Sequence, residues 1–173
     1  MSIIATDLDG TIFKGQTLID GVKEGLLKII NEGIEIYYTT NNSSQTPSEI
    51  KDKLENLLQL DIDISKIITP LVIFQNLYSD DKLNIFIYGS ENLKKYIKNL
   101  NMNVTSLENA ELVLIGRKEE NNFSEINEII KSVSIGKNIL SLNKDLTFPT
   151  EFGEKAGNGA VVKIIEDELS ISI

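Results

Sequence analysis

With 173 residues, 41% of them apolar, the chain is long enough for one packed domain, or for one domain carrying a modest insertion. A formal charge of −9 and a single arginine, Arg117, leave no cluster of basic residues to displace counterions, which excludes a nucleic-acid binder. Cysteine and histidine are both absent, which excludes disulfides, thiolate chemistry, Cys-ligated zinc and the commonest general base. Any catalysis here must run on carboxylates, hydroxyls, lysines or a hard metal held by oxygen.

Strand-like and helix-like segments alternate along the whole chain, which predicts an α/β architecture. Ile3 to Thr6 reads as a short buried strand running into the turn Asp7-Leu8-Asp9-Gly10. A first helix is expected from Asp20 as N-cap, with Val22, Leu26, Ile29 and Ile30 on one face and Gly33 at its end. Ile34 to Tyr38 is a second strand, followed by the polar loop Thr39-Thr40-Asn41-Asn42-Ser43. Thr46 and Glu49 form a capping-box pattern around Pro47, opening a helix whose apolar face is Ile50, Leu54, Leu57 and Leu58.

Ile67-Ile68 predicts a short third strand, and Thr69-Pro70 another helix to about Tyr78. A turn is expected at Ser79-Asp80-Asp81, with a domain boundary near residue 80. The second half then repeats the alternation. Strands are predicted over Leu83 to Tyr88, Glu111 to Ile115 and Asn138 to Leu142, and helices over Ser90 to Leu100, Ser124 to Val133 and about Gly159 to Leu169. No run of about eighteen apolar residues is present, so no membrane-spanning helix is expected. The N-terminus lacks a basic n-region and an apolar h-region, which predicts a cytoplasmic protein without a signal peptide.

Chemistry concentrates at Asp7-Leu8-Asp9-Gly10-Thr11. Ligands of open α/β sheets bind at the carboxyl ends of strands. Two carboxylates at i and i+2 there can face one site once the turn breaks the pleat. One suits nucleophilic attack on phosphorus, the other proton transfer to and from the departing and attacking oxygens. An anionic phosphate needs a cation beside them, and oxygen ligands at a strand end suit Mg²⁺. Solvated turn aspartates are the plainer alternative, but the string arises by chance in only roughly one chain in a thousand of this length. At the neighbouring strand end, Thr40-Asn41-Asn42-Ser43 offers hydroxyl, amide and backbone N–H groups to phosphate oxygens; the plainer alternative is a polar loop leading to the Thr46 cap.

These motifs resemble the haloacid dehalogenase superfamily, and within it the p-nitrophenylphosphatase or NagD-like sugar-phosphatase subgroup. Asp7-Leu8-Asp9-Gly10-Thr11-Ile12 with Gly15 is similar to the family's first motif. Tyr38-Thr39-Thr40-Asn41-Asn42-Ser43 is similar to its second. Asn143-Lys144-Asp145, Pro149-Thr150-Glu151 and Gly157-Asn158-Gly159-Ala160 resemble the end of the subgroup's cap domain.

The resemblance implies a partial Rossmann-like parallel sheet, the N-terminal half of the core, over residues 1–79, an α/β cap over 80–168, and a tail over 169–173. It implies a Mg²⁺-dependent phosphatase of small phosphomonoesters working through an aspartyl-phosphate. Asp7 would be nucleophile and metal ligand. Asp9 would be general acid/base and a metal ligand through its backbone carbonyl. Thr40, Asn41 and Asn42 would hold the phosphoryl group, and Asn143 and Asp145 would lie on a substrate-facing cap loop.

The family's third motif, a lysine in a Gly-Lys-Pro setting, and its fourth, Gly-Asp with a further Asp, are not found in these 173 residues. Activity of the chain alone is therefore expected to be impaired. The expected partners are a small phosphorylated metabolite and either a further copy of the chain or a complementing C-terminal half. The competing reading is a non-catalytic remnant, or half of a split enzyme, that binds a phosphorylated ligand or a partner chain. A phosphorylated-aspartate receiver domain is a third reading, which the Asp-x-Asp-Gly-Thr string and the cap-like second half oppose. Two further signals are set aside. Gly157-Asn158-Gly159 lacks the third small residue of a dinucleotide fingerprint and no strand is expected before it. Glu166-Asp167-Glu168 is expected to be a solvated helix face.

Overall fold

The structure is a computed structural model and describes residues 2–79, 82–118, 120–150 and 153–173. Asp80 and Asp81, where the sequence places a turn and a boundary, and Glu151 lie outside the described residues. The chain divides into two compact units, residues 1–73 and 74–173.

The first unit begins with β1 (Ile3–Asp7), the two-residue strands β2 (Phe13–Lys14) and β3 (Thr17–Leu18), and α1 (Val22–Asn31). It continues with β4 (Glu35–Thr39), α2 (Pro47–Leu58), a single 3₁₀ turn at Ile64–Lys66, β5 (Ile67–Ile68) and the start of α3 (Pro70–Tyr78). β1, β4 and β5 form a parallel sheet in that order, with Asp7 opposite Thr39 and Tyr38 opposite Ile67. Its core gathers Leu8, Ile12, Phe13, Leu26, Ile36, Tyr38, Ile50, Leu54 and Leu58.

Two sequence expectations are corrected here. The first helix is not capped by Asp20. Gly21 holds the N-cap position at φ 79° with no side-chain bond, because the chain enters the helix through a left-handed turn that an aspartate adopts less readily. Ile3 to Thr6 is a strand but not a buried one. Among the described residues β1 lies at the end of the sheet order with no strand on its outer side, and Ile3 is 60% exposed.

The capping box of α2 is present as read. Thr46 Oγ1 accepts from the Glu49 N–H at 3.3 Å, and Glu49 Oε2 accepts from the Thr46 N–H at 2.7 Å. Both orphan donors of the first turn are thereby satisfied. Thr46→Ala is expected to lower stability by about 1 kcal/mol. In urea unfolding this appears as a lower midpoint at constant slope; an unchanged midpoint relative to Ser48→Ala on the same helix would show that the box contributes nothing.

The second unit contains the rest of α3, then β6 (Asn84–Tyr88), α4 (Glu91–Asn99), β7 (Asn103–Val104), β8 (Leu112–Ile115) and α5 (Phe123–Ser134). It ends with β9 (Asn138–Ser141), β10 (Thr147–Thr150), β11 (Gly153–Ala156) and α6 (Asn158–Leu169). Its own parallel sheet has the order β7-β6-β8-β9. All four residues of β8 are buried, as a continuous apolar run in a parallel sheet covered on both faces requires. α5 and α6 supply Ile126, Ile129, Val161, Val162 and Ile165 to the core over that sheet. The fold is therefore α/β with two separate parallel sheets. Among the described residues no helix is long and apolar enough to cross a membrane.

Candidate active site

The site is built where β1 and β4 end together. Asp7 is the last residue of β1, exposed, and directly opposite Thr39 in the parallel ladder. Thr39 Oγ1 donates to the Thr6 carbonyl at 3.1 Å, tying the two strand ends. The chain then turns sharply. The Leu8 carbonyl accepts from the N–H groups of Thr11, Ile12 and Phe13, and the Gly10 N–H donates to the Phe13 carbonyl at 2.8 Å. Gly10 sits at φ +84°, where a β-carbon is disfavoured. Leu8, Ile12 and Phe13 are buried in the core, so the turn is anchored from below while Asp7 and Asp9 stay exposed.

Thr40 is 8% exposed, and its N–H donates to the Ile68 carbonyl at 3.1 Å, which fixes the loop to the β5 end. Its hydroxyl faces Asp9, with Oγ1 3.5 Å from Oδ2, and accepts from the Asn42 N–H at 3.1 Å. The Asn42 side chain is engaged within the loop. Its Oδ1 accepts from the Ser44 N–H and hydroxyl at 2.9 and 2.7 Å, and its Nδ2 donates to Gln45 at 3.2 Å. Asn41 is exposed beside it. Of the expected site residues, Asp9 and Thr40 are thus in contact, Asp7 is one ladder position away, and Asn42 shapes the loop that carries Asn41.

One residue escaped the sequence reading. Lys53 of α2 lies three positions after Ile50 and four before Leu57, on the helix's apolar stripe. That spacing, a lysine within a core-facing row, was the available signal. Its Nζ stands 3.5 Å from the centroid of the buried Phe13 ring. Burial pushes its ammonium below the usual lysine range, and the negative charge of Asp9 opposes that shift.

The donor set fits a hard cation. Asp7 and Asp9 offer oxygens only, and Mg²⁺ is commonly held by one or two carboxylates, completed by waters and substrate phosphate. Among the described residues no group of three or more His, Cys, Asp or Glu gathers at these strand ends or at any other place.

In the second unit the sequence motifs have structural roles. The Gly157 N–H donates to the Leu146 carbonyl at 2.8 Å and the Gly159 N–H to the Asp145 carbonyl at 2.9 Å. A β-carbon at Gly157 or Gly159 would lie 2.3 or 2.1 Å from a backbone carbonyl oxygen of residues 144–145, so only glycine permits this approach. A strand, β11, does precede these glycines, contrary to the sequence expectation. It belongs to an antiparallel hairpin with β10, and the glycines pack against protein backbone at the start of α6. The run Glu166-Asp167-Glu168 is only partly a solvated face. Asp167 and Glu168 are exposed, whereas Glu166 accepts from Lys144 Nζ and the Ile173 N–H, each at 2.8 Å. Those bonds hold its carboxyl below the usual range, the Ile173 N–H contributing most. They also tether the Asn143–Asp145 loop to α6.

Residues 4–103 match the family described as haloacid dehalogenase-like hydrolase. An acid sugar phosphatase of Staphylococcus haemolyticus is 30% identical over 161 residues, covering 92% of this chain and 61% of that protein. A p-nitrophenyl phosphatase from Archaeoglobus fulgidus superposes with a TM-score of 0.89 at 21% identity, over 99% of this chain and 66% of that one. A glycerol phosphate phosphatase from Mycobacterium tuberculosis, solved in complex with magnesium, gives a TM-score of 0.82 at 22% identity, over 99% and 52%. The two structural likenesses speak to the fold. The chain spans about three fifths of the length of the curated relatives it matches.

Proposed function

Because the chain belongs to the haloacid dehalogenase-like hydrolase family, we propose that it carries the nucleophile half of a phosphatase acting on small phosphomonoesters through an aspartyl-phosphate. The observation that carries the proposal is the pairing of strand ends. Asp7 lies opposite Thr39 at the paired strand ends, and the Thr40 hydroxyl oxygen is 3.5 Å from Asp9 Oδ2, which supports a phosphoryl group bound at these strand ends.

In this reading an oxygen of Asp7 forms the new bond to phosphorus as the ester oxygen–phosphorus bond breaks. The departing alkoxide takes its proton from the Asp9 carboxyl. A water then attacks phosphorus, Asp9 takes the water's proton, and the bond between phosphorus and Asp7 breaks, releasing phosphate and restoring both carboxyls. Thr40 and the exposed Asn41 give hydrogen bonds to the phosphoryl oxygens. Bound Mg²⁺, held by the Asp7 carboxylate and the Asp9 backbone carbonyl, would offset the charge of phosphate and carboxylates as they approach. Support for a metal comes from the oxygen donor set and from the magnesium complex of the Mycobacterium tuberculosis protein.

A second reading has its own observation. Among the described residues β1 is paired with β4 on one side only, with Ile3 exposed, which suits a complementing chain adding strands on the other side. That chain would also supply the lysine and carboxylates of the third and fourth motifs.

The proposal is tested by titrating Mg²⁺, then inorganic phosphate in its presence, into residues 1–173 while following backbone amide resonances. Shifts are expected at residues 7–11 and 39–42. No response there at high ligand concentration, or a response confined to residues 74–173, would remove its basis.

A further inference from the structure

α2 turns Ile50, Leu54 and Leu58 into the core of the first unit. Lys53 shares that face, and packing along the helix limits where its ammonium can go. The ammonium rests over Phe13, 3.5 Å from the ring centroid, where a cation is favoured by the negative face of the aromatic ring. Phe13 is in turn bridged to Asp9, and its carbonyl closes the Asp9-Gly10 turn. Among the described residues Lys53 has no ion-pair partner within 4.0 Å, whereas Lys51 on the same helix pairs with Glu55. A lysine held over the buried ring of Phe13, the residue bridged to Asp9, and joined to no carboxylate within 4.0 Å among the described residues, is poorly explained as a solvated surface charge.

We propose that Lys53 is a fixed counter-charge beside Asp9 at the strand-end site, a positioning residue whose ammonium offsets the Asp9 carboxylate and biases the strand end toward an anionic phosphoryl ligand. The inference rests on the reading of Asp7 and Asp9 given above. Two carboxylates alone would repel a phosphate. A cation held nearby by packing opposes that repulsion with no reorganisation when the ligand arrives. The same charge must oppose a second cation, so it trades affinity for Mg²⁺ against affinity for phosphate.

That trade gives the test. Lys53→Met keeps the length and packing of the stem and removes the charge; Lys53→Arg keeps the charge. Binding of Mg²⁺ alone, and of inorganic phosphate at saturating Mg²⁺, is followed by amide shifts at residues 7–11 in residues 1–173, and folding of each variant is checked by circular dichroism. Lys53→Met is expected to tighten Mg²⁺ and weaken phosphate, each by about three- to tenfold, the size of one unit charge acting across a partly solvated gap. Lys53→Arg should leave both near the unsubstituted values. Should Lys53→Met fail to fold, Lys53→Gln makes the same comparison. Unchanged affinities, or both weakened together as a packing defect would produce, overturn the proposal. An Asp7→Asn control separates the two readings. If it too leaves Mg²⁺ binding unchanged, the assignment of the strand-end site fails; if it abolishes binding while Lys53→Met has no effect, only the role of Lys53 fails.

Discussion

Asp7→Asn is expected to lower phosphatase turnover by several orders of magnitude, whether measured on residues 1–173 or on a form joined to the residues that complete the site. The substitution keeps the shape of the side chain and its place opposite Thr39. It removes the negative oxygen that would attack phosphorus. An amide cannot replace it, so what survives is the contribution of binding and positioning alone. The loss should fall on kcat with little change in KM. Because Asp7 is exposed and outside the core, the variant should fold normally. Steady-state hydrolysis of an aryl phosphate, paired with a thermal melt, makes the comparison. Undiminished turnover in a folded Asp7→Asn protein, or turnover indifferent to EDTA, would show that the nucleophile lies elsewhere.

The second large effect concerns residues 1–173 purified alone. Their turnover is expected to fall far below the roughly ten per second of an ordinary enzyme, and they are expected to self-associate or to take up a complementing chain. The chemical reason is charge. Phosphoryl transfer depends on positioned cations around the transferring group, and the lysine and acidic residues of the family's third and fourth motifs are not found in these 173 residues. The structural reason is β1. A strand at the end of the sheet order among the described residues, with an exposed isoleucine, is a template for another strand. Mass in solution and hydrolysis of an aryl phosphate with Mg²⁺ decide the matter. A stable monomer turning over about ten times per second would contradict both arguments.

What the sequence by itself determined was local or strictly periodic. The Asp7–Thr11 turn follows from a glycine free to take positive φ after an apolar strand, and the α2 start follows from groups three residues apart. The strand β8 is legible because four consecutive apolar residues in a parallel sheet need no partner to be recognised. The pairing of Asp9 with Thr40 was legible only as two strand ends close in sequence order, since neither motif specifies which strands are neighbours.

The tertiary structure decided what depends on distant chain. Gly21 rather than Asp20 caps α1, because the path out of the β2–β3 hairpin sets the backbone angle there. The β10–β11 hairpin is stabilised by pairing rather than by an apolar pattern, and so left little periodic signal. Exposure of β1 reflects the lack of a neighbour on one side, a property of the sheet and not of Ile3 to Thr6. Lys53 reads in sequence as one of sixteen lysines; only the packing of α2 sets its ammonium over the ring of Phe13, because electrostatic reach is set by distance through the fold and not along the chain.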